Sequence, residues 1–173
     1  MKKFIFILGG VRSGKSSYAV QSAKDLNKPT AFVATCLPSS DTEMKERIKA
    51  HKKSRPDNWG LVEECRNIGS ALIKINDQYD IILVDCLGLW ISNLLADDLT
   101  DKQIERKIAK LIKSVSELSA VIIFVSNEVG AGVVPDNLLA RRFRDLLGIT
   151  NQIFAKKADE VIFMQSGIPV KIK

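Results

Sequence analysis

A mostly parallel β-sheet with helices on both faces is the fold class this sequence predicts, and two observations predict it. Short apolar runs rich in β-branched and aromatic residues alternate with stretches that have helical spacing. A glycine-rich loop, GGVRSGKS, stands directly between the first apolar run and the first helical stretch.

The runs are FIFIL (Phe4–Leu8), TAFVA (Thr30–Ala34), IILVD (Ile81–Asp85), AVIIFVS (Ala120–Ser126) and EVIFMQ (Glu160–Gln165). They show little polar alternation, which suits strands covered on both faces. Between the first two, Ser16–Leu26 has the spacing of a helix. Ile104, Ile108, Leu111, Ile112 and Val115 form an apolar stripe along another, and Leu138–Lys157 supplies a third. The terminal GIPVKIK suits a closing edge strand, antiparallel to its neighbour. Leu37 to Asn67 interrupts the alternation. Within it, SDTE (Ser40–Glu43) has the Ser-x-x-Glu capping-box pattern, which predicts a helix running to about Lys53. It stops before Pro56, because proline disfavours helix at the residue preceding it.

Composition limits the classes. At 173 residues, 46% hydrophobic and 27% charged, the chain suits one compact domain spanning residues 1–173. No internal repeat, low-complexity tract or Gly/Ser/Pro-rich linker divides it. The net charge of +6 favours anionic partners, but aromatics at 6% offer no stacking platform, so nucleic acid is not expected. Cys36, Cys65 and Cys86 are odd in number, far apart and without a CxxC, which fits reduced thiols rather than a disulfide framework or zinc site. The apolar run after Met1–Lys3 is too short for a secretory signal, and no stretch approaches the ~20 residues of a membrane span. A soluble, cytoplasmic protein without a membrane anchor is the expectation.

GGVRSGKS comprises Gly9, Gly10, Val11, Arg12, Ser13, Gly14, Lys15 and Ser16. It matches G-x-x-x-x-G-K-[ST] in the strand–loop–helix setting that this phosphate-binding motif requires. Glycines let successive backbone N–H groups wrap phosphate oxygens, and the following helix adds its positive end. Lys15 is placed to reach the outer phosphates, and Ser16 to offer its hydroxyl to Mg2+. Asp85, closing IILVD, is the candidate second metal group, since a carboxylate at that strand end faces the loop. No Asn-Lys-x-Asp signature for guanine is present, so a switch-type GTPase is not expected.

His51 is the only histidine, and it lies in RIKAHKKSRPDNW (Arg47–Trp59). On a helix, Arg47 would share its face. A neighbouring positive charge keeps imidazole neutral, the form that attacks phosphorus. Such an attack on an α-phosphate would expel pyrophosphate and leave a nucleotidyl-histidine. From pattern alone, His51 is either this nucleophile or an incidental solvated residue.

Several separated segments together resemble the bifunctional adenosylcobinamide kinase/adenosylcobinamide-phosphate guanylyltransferases of cobalamin synthesis. They are GGVRSGKS, FVATC (Phe32–Cys36), RIKAHKKSRPDNW with Glu63 after it, VDCLGLWISNLL (Val84–Leu95), SNEVGAGVVPDN (Ser126–Asn137), LARRFRDLLGITNQIFAKKADEV and GIPVKIK. Gly88 and Ala131 depart from the family pattern, and neither touches the phosphate loop or His51. The resemblance implies a two-step enzyme. A terminal phosphate of ATP or GTP passes to the aminopropanol hydroxyl of adenosylcobinamide. GTP then guanylylates His51, and the phosphorylated corrinoid takes GMP to give adenosylcobinamide-GDP.

By the same resemblance, Gly9–Ser16, Ala34, Thr35, Cys36, Lys52, Lys53, Ser54, Arg55, Glu63 and Asp85 line the nucleotide site, and the assembly is a homotrimer. Asn127 and Glu128, after a buried strand, are candidate acceptor contacts, because ligands of open α/β sheets bind beyond the strands' carboxyl ends. Arg141, Arg142 and Arg144 are expected to decorate a helix and pair with carboxylates or a neighbouring subunit. Trp59, Trp90 and Phe143 are expected in the core or at subunit contacts. The rival readings are a simple small-molecule phosphate-loop kinase in which His51 is incidental, and a nucleotide-gated binding module.

Overall fold

A computed structural model describes residues 2–37 and 55–173. The helix expected from Ser40 to Lys53, and with it His51, Lys52, Lys53 and Ser54, lies outside the described residues.

Among those residues the chain runs β1 (Lys3–Gly9), α1 (Lys15–Asp25), β2 (Thr30–Ala34), β3 (Gly60–Glu63), α2 (Ile68–Ile75), β4 (Ile81–Asp85) and α3 (Leu87–Ala96). It continues through α4 (Asp101–Glu117), β5 (Val121–Asn127), α5 (Leu138–Lys157), β6 (Glu160–Gln165) and β7 (Ile168–Lys171). The strands form one sheet in the order β3-β2-β4-β5-β1-β6-β7. All neighbours are parallel except β6 and β7, so the expected antiparallel closing strand is present. Parallel pairing brings Gly9, Ala34, Glu63, Asp85, Asn127 and Gln165 to one edge of the sheet, where each strand ends.

Strand alternation divides the apolar residues between two cores. Phe4, Phe6 and Leu8 of β1 point into the larger core, under α2 to α5, with Leu72, Trp90, Ile108 and Phe154. Ile7 points the other way, where Ala19, Val20 and Ala23 of α1 cover Phe32, Leu83 and Val125. The α4 stripe is buried as its spacing requires: Ile104, Ile108, Leu111 and Val115 are all within the core. A reciprocal capping box between Thr100 and Gln103 starts this helix. Asn137 caps α5 by accepting from the Ala140 amide at 2.7 Å.

Phe154 is the hub of the larger core. It is fully buried and meets Phe124 edge-on at 4.9 Å and Phe4 edge-on at 5.9 Å, with Phe6 tilted at 5.8 Å. Phe154→Ala would lose that ring burial and leave a cavity among three aromatics that cannot collapse into it. The expected destabilisation is about 3–5 kcal/mol, read as a lower urea midpoint at unchanged slope.

Of the three α5 arginines, two meet carboxylates as expected and one does not. Arg142 pairs with Asp101 at 2.7 Å, Arg144 approaches Asp145 at 3.4 Å, and Arg141 donates to the Pro135 and Asp136 carbonyls. Trp90 is core, with its indole N–H on the Arg66 carbonyl at 3.0 Å. Trp59 and Phe143 are partly buried against the two cores. Three elements had no sequence expectation: the edge strand β3 and the helices α2 and α3. No helix among the described residues is long and apolar enough to cross a membrane.

Candidate functional site

The phosphate loop is clamped along its length by backbone hydrogen bonds. β1 delivers Gly9 between Asn127 of β5 and Met164 of β6. The Glu128 N–H donates to the Gly9 carbonyl at 3.0 Å, and the Ser13 N–H to the Gly10 carbonyl at 3.3 Å. Behind the loop, the Gly167 N–H of the β6–β7 turn donates to the Ser13 carbonyl at 3.0 Å. Only glycine fits at position 9, because a Cβ there would lie 2.6 Å from the Met164 carbonyl oxygen and 2.7 Å from Ser13 Oγ. Gly14 has φ +89°, which permits the tight entry into α1. No side chain caps that helix and its first turn carries no acid, so its N-terminal amides face outward for an anion.

Lys15 is buried, and its ammonium folds back to the Gly10 carbonyl at 3.0 Å. Burial lowers its pKa, while Cys86 and Asp85 act in the opposite direction. Asp85, the last residue of β4, is therefore within electrostatic reach of the loop lysine, as the motif logic expects. Arg55 lies over the Phe32 ring at 4.1 Å. Its pKa is lowered by burial and raised by Asp85 and Glu63. Lys15, Asp85, Arg55 and Glu63 thus form a charged group of alternating sign at one sheet edge. Beside Glu63, a cavity of about 360 Å³ opens between β3 and α2, lined also by Val62, Glu64, Asn67, Ser70, Ala71, Lys74 and Ile75.

Not every expected contact residue presents its side chain to that edge. Thr35 is fully buried, and its hydroxyl is bound to Cys86. Ser13 is also buried, and its Oγ has no hydrogen-bond partner. Val11 and Arg12 are exposed at the loop tip, with Arg12 at φ +56°. Ala34 and Ser16 are half-buried, as is Cys36, whose thiol burial pushes upward. Cys86 is pushed up to about 12, principally by burial, so it stays a thiol and is no nucleophile at neutral pH.

Two buried amides carry structural work that the sequence did not reveal. Asn93 of α3 donates to the Thr35 carbonyl at 2.8 Å and to the Cys65 carbonyl at 3.1 Å, joining the exits of β2 and β3. Asn151 of α5 accepts from Ser126 Oγ at 2.6 Å and donates to the Asn127 carbonyl at 2.9 Å, fixing the end of β5. Each lies on a mostly apolar helix face, and that is the signal that would have found them.

Two solved structures share the fold. The flagellar accessory protein FlaH from Methanocaldococcus jannaschii matches with TM-score 0.54 at 14% identity, over 99% of this chain and 78% of that one. The KaiC-like protein PH0186 from Pyrococcus horikoshii matches with TM-score 0.51 at 15% identity, over 93% and 70%. Curated relatives are nearer. The bifunctional adenosylcobalamin biosynthesis protein CobP of Pseudomonas aeruginosa is 37% identical across 96% of this chain and 95% of its own length. The bifunctional adenosylcobalamin biosynthesis proteins CobU of Escherichia coli and Salmonella typhimurium are 35% and 37% identical, each across 98% of this chain and 99% of theirs. The family model for cobinamide kinase / cobinamide phosphate guanyltransferase matches residues 5–172, and the chain belongs to that family.

Proposed function

We propose that this protein catalyses two successive transfers on one sheet edge. In the first, the aminopropanol hydroxyl of adenosylcobinamide attacks the γ-phosphorus of ATP or GTP, loses its proton and releases the nucleoside diphosphate. In the second, a ring nitrogen of His51 attacks the α-phosphorus of GTP and expels pyrophosphate. A phosphate oxygen of adenosylcobinamide phosphate then attacks the guanylyl phosphorus, displacing the imidazole and yielding adenosylcobinamide-GDP.

The observation that carries this reading is the family match over residues 5–172, which spans both the phosphate loop and His51. The geometry supports it. The loop amides and Lys15 suit the phosphates of a nucleotide, and Arg55 with Glu63 extends the polar edge away from them. Three residues separate His51 from Arg55, and a fully extended stretch of that length reaches about 14 Å. Asn127 and Glu128 suit the acceptor, since the Glu128 amide is bonded to the loop at Gly9. The homotrimer and the cytoplasmic setting belong to the same proposal.

Mg2+ fits the donor set. Ser16 and Asp85 offer hard oxygens, and the described residues hold no group of three or more His, Cys, Asp or Glu that would cage a metal alone. A small hard cation that takes its other ligands from phosphates and water suits so sparse a site. Bound with the nucleotide, it would neutralise phosphate charge.

The test is incubation with Mg2+ and GTP labelled at the α-phosphate. A protein-bound label, stable in alkali and lost in acid, is expected for a phosphoramidate. No label, with corrinoid-dependent γ-phosphate transfer intact, would instead favour a simple kinase. Absence of both would leave a binding module.

A further inference from the structure

Thr35 stands one residue beyond β2, is wholly buried, and spends every polar group it has inside the protein. Its hydroxyl accepts from the Cys86 N–H at 2.7 Å and donates to the Cys86 carbonyl at 2.8 Å. Its own N–H donates to the Asp85 carbonyl at 3.3 Å, and its carbonyl accepts the Asn93 amide at 2.8 Å. A side chain so committed has nothing left to offer a nucleotide. What it does hold is the backbone on either side of the Asp85–Cys86 peptide.

That backbone decides where the Asp85 carboxylate sits. On the N-terminal side, Asp85 is fixed by the sheet, in register with Ala34 and Val125. On the C-terminal side the strand has ended, and the chain turns at Cys86 into α3 with no side-chain cap. There the Cys86 amide is held by the Thr35 hydroxyl instead of a strand partner. Buried groups of this kind are normally satisfied, and removing one partner releases the geometry it fixed. Asn93 holds the clamp in turn, because the same side-chain nitrogen bonds both Thr35 and Cys65.

We propose that Thr35 is a positioning residue for Asp85, acting through the Cys86 backbone, with Asn93 as the tie that fixes Thr35. This rests on the reading of Asp85 as the carboxylate serving the metal–nucleotide complex. Partners one shell out from a metal group typically tune its affinity by 10–100-fold.

The probe is Mn2+, with free ion followed by electron paramagnetic resonance in the presence of GTP. Thr35→Val, which keeps the shape and removes the hydroxyl, should weaken Mn2+ binding to the enzyme–GTP complex about tenfold. Thr35→Ser should restore it, and GTP affinity measured in EDTA should not change, because the phosphate loop is built elsewhere. Asp85→Asn is the reference. If it leaves Mn2+ affinity unaltered, the metal reading of Asp85 fails. If Asp85→Asn weakens binding and Thr35→Val does not, the Thr35 proposal alone is overturned. An equal loss of GTP affinity in EDTA would also overturn it, since that is general damage. Asn93→Leu is the second variant should Thr35→Val not fold: a loss in the same direction supports the clamp, and wild-type Mn2+ affinity refutes it.

Discussion

Lys15→Met should lower both the γ-phosphate transfer and the α-labelling of the protein, each by about 10²–10³-fold, the usual effect of removing one preorganised donor to developing phosphate charge. The methionine keeps the stem that the loop packs around and removes only the ammonium. That ammonium is buried and satisfied by the Gly10 carbonyl at 3.0 Å, a neutral acceptor. The nearby Asp85 carboxylate acts against the burial without outweighing it, since the pKa stays below the ordinary lysine range. The folded state therefore gives up its proton more readily than the unfolded one. A lysine in that position costs stability while both states are charged, and the cost fades as pH rises through the lowered value toward the ordinary one. Wild type should thus gain stability relative to Lys15→Met across that alkaline window, and be no more stable than the variant at neutral pH. Initial rates with labelled nucleotide and thermal unfolding at several pH values check both parts. A variant that loses activity only by unfolding would show the opposite order of midpoints. Arginine should not rescue, because its planar fork does not occupy the space of a compact ammonium beside the Gly10 carbonyl.

How much of this site was legible beforehand depended on whether its chemistry is local in sequence. Gly9–Ser16 could be read because strand, loop and helix follow each other directly, and each residue type answers a requirement of phosphate binding. Asp85 could be read because a carboxylate closing a buried parallel strand must emerge at the sheet edge. β3 escaped because four residues, alternately half-buried and exposed at a sheet edge, leave little pattern. α3 escaped for a different reason: Ile81–Leu95 is apolar almost throughout, and the change from strand to helix at Cys86 leaves no break in hydrophobicity. Thr35 was expected to line the nucleotide site only through the family resemblance, and its buried role was not legible. Its partners, Cys86 and Asn93, are brought to it only by the sheet order β2-β4 and the packing of α3. The proximity of Arg55, Glu63 and Asp85 is likewise a product of strand order, since they come from the segment before β3, the end of β3 and the end of β4.

His51→Ala should divide what Lys15→Met removes together. Transfer of the γ-phosphate needs a hydroxyl on the acceptor, a cradle for the nucleotide and a cation at the outer phosphates, none of which is an imidazole. Kinase activity in this variant is therefore expected to stay close to wild type. Guanylyl transfer through a covalent intermediate needs a nucleophile on the protein, and the chain holds a single histidine. With it replaced, the acid-labile α-label should fall to background, and adenosylcobinamide phosphate should accumulate without conversion to the GDP form. Two of the thiols are poor substitutes: Cys86 is buried and pushed up to about 12, and Cys36 is raised by burial. Loss of both activities in His51→Ala would mean that the residue supports the nucleotide site as a whole, and retention of the label would place the nucleophile elsewhere. The two-step mechanism requires the split: Lys15 serves both phosphorus centres because both ride on one nucleotide cradle, while His51 serves only the transfer that leaves the protein covalently charged.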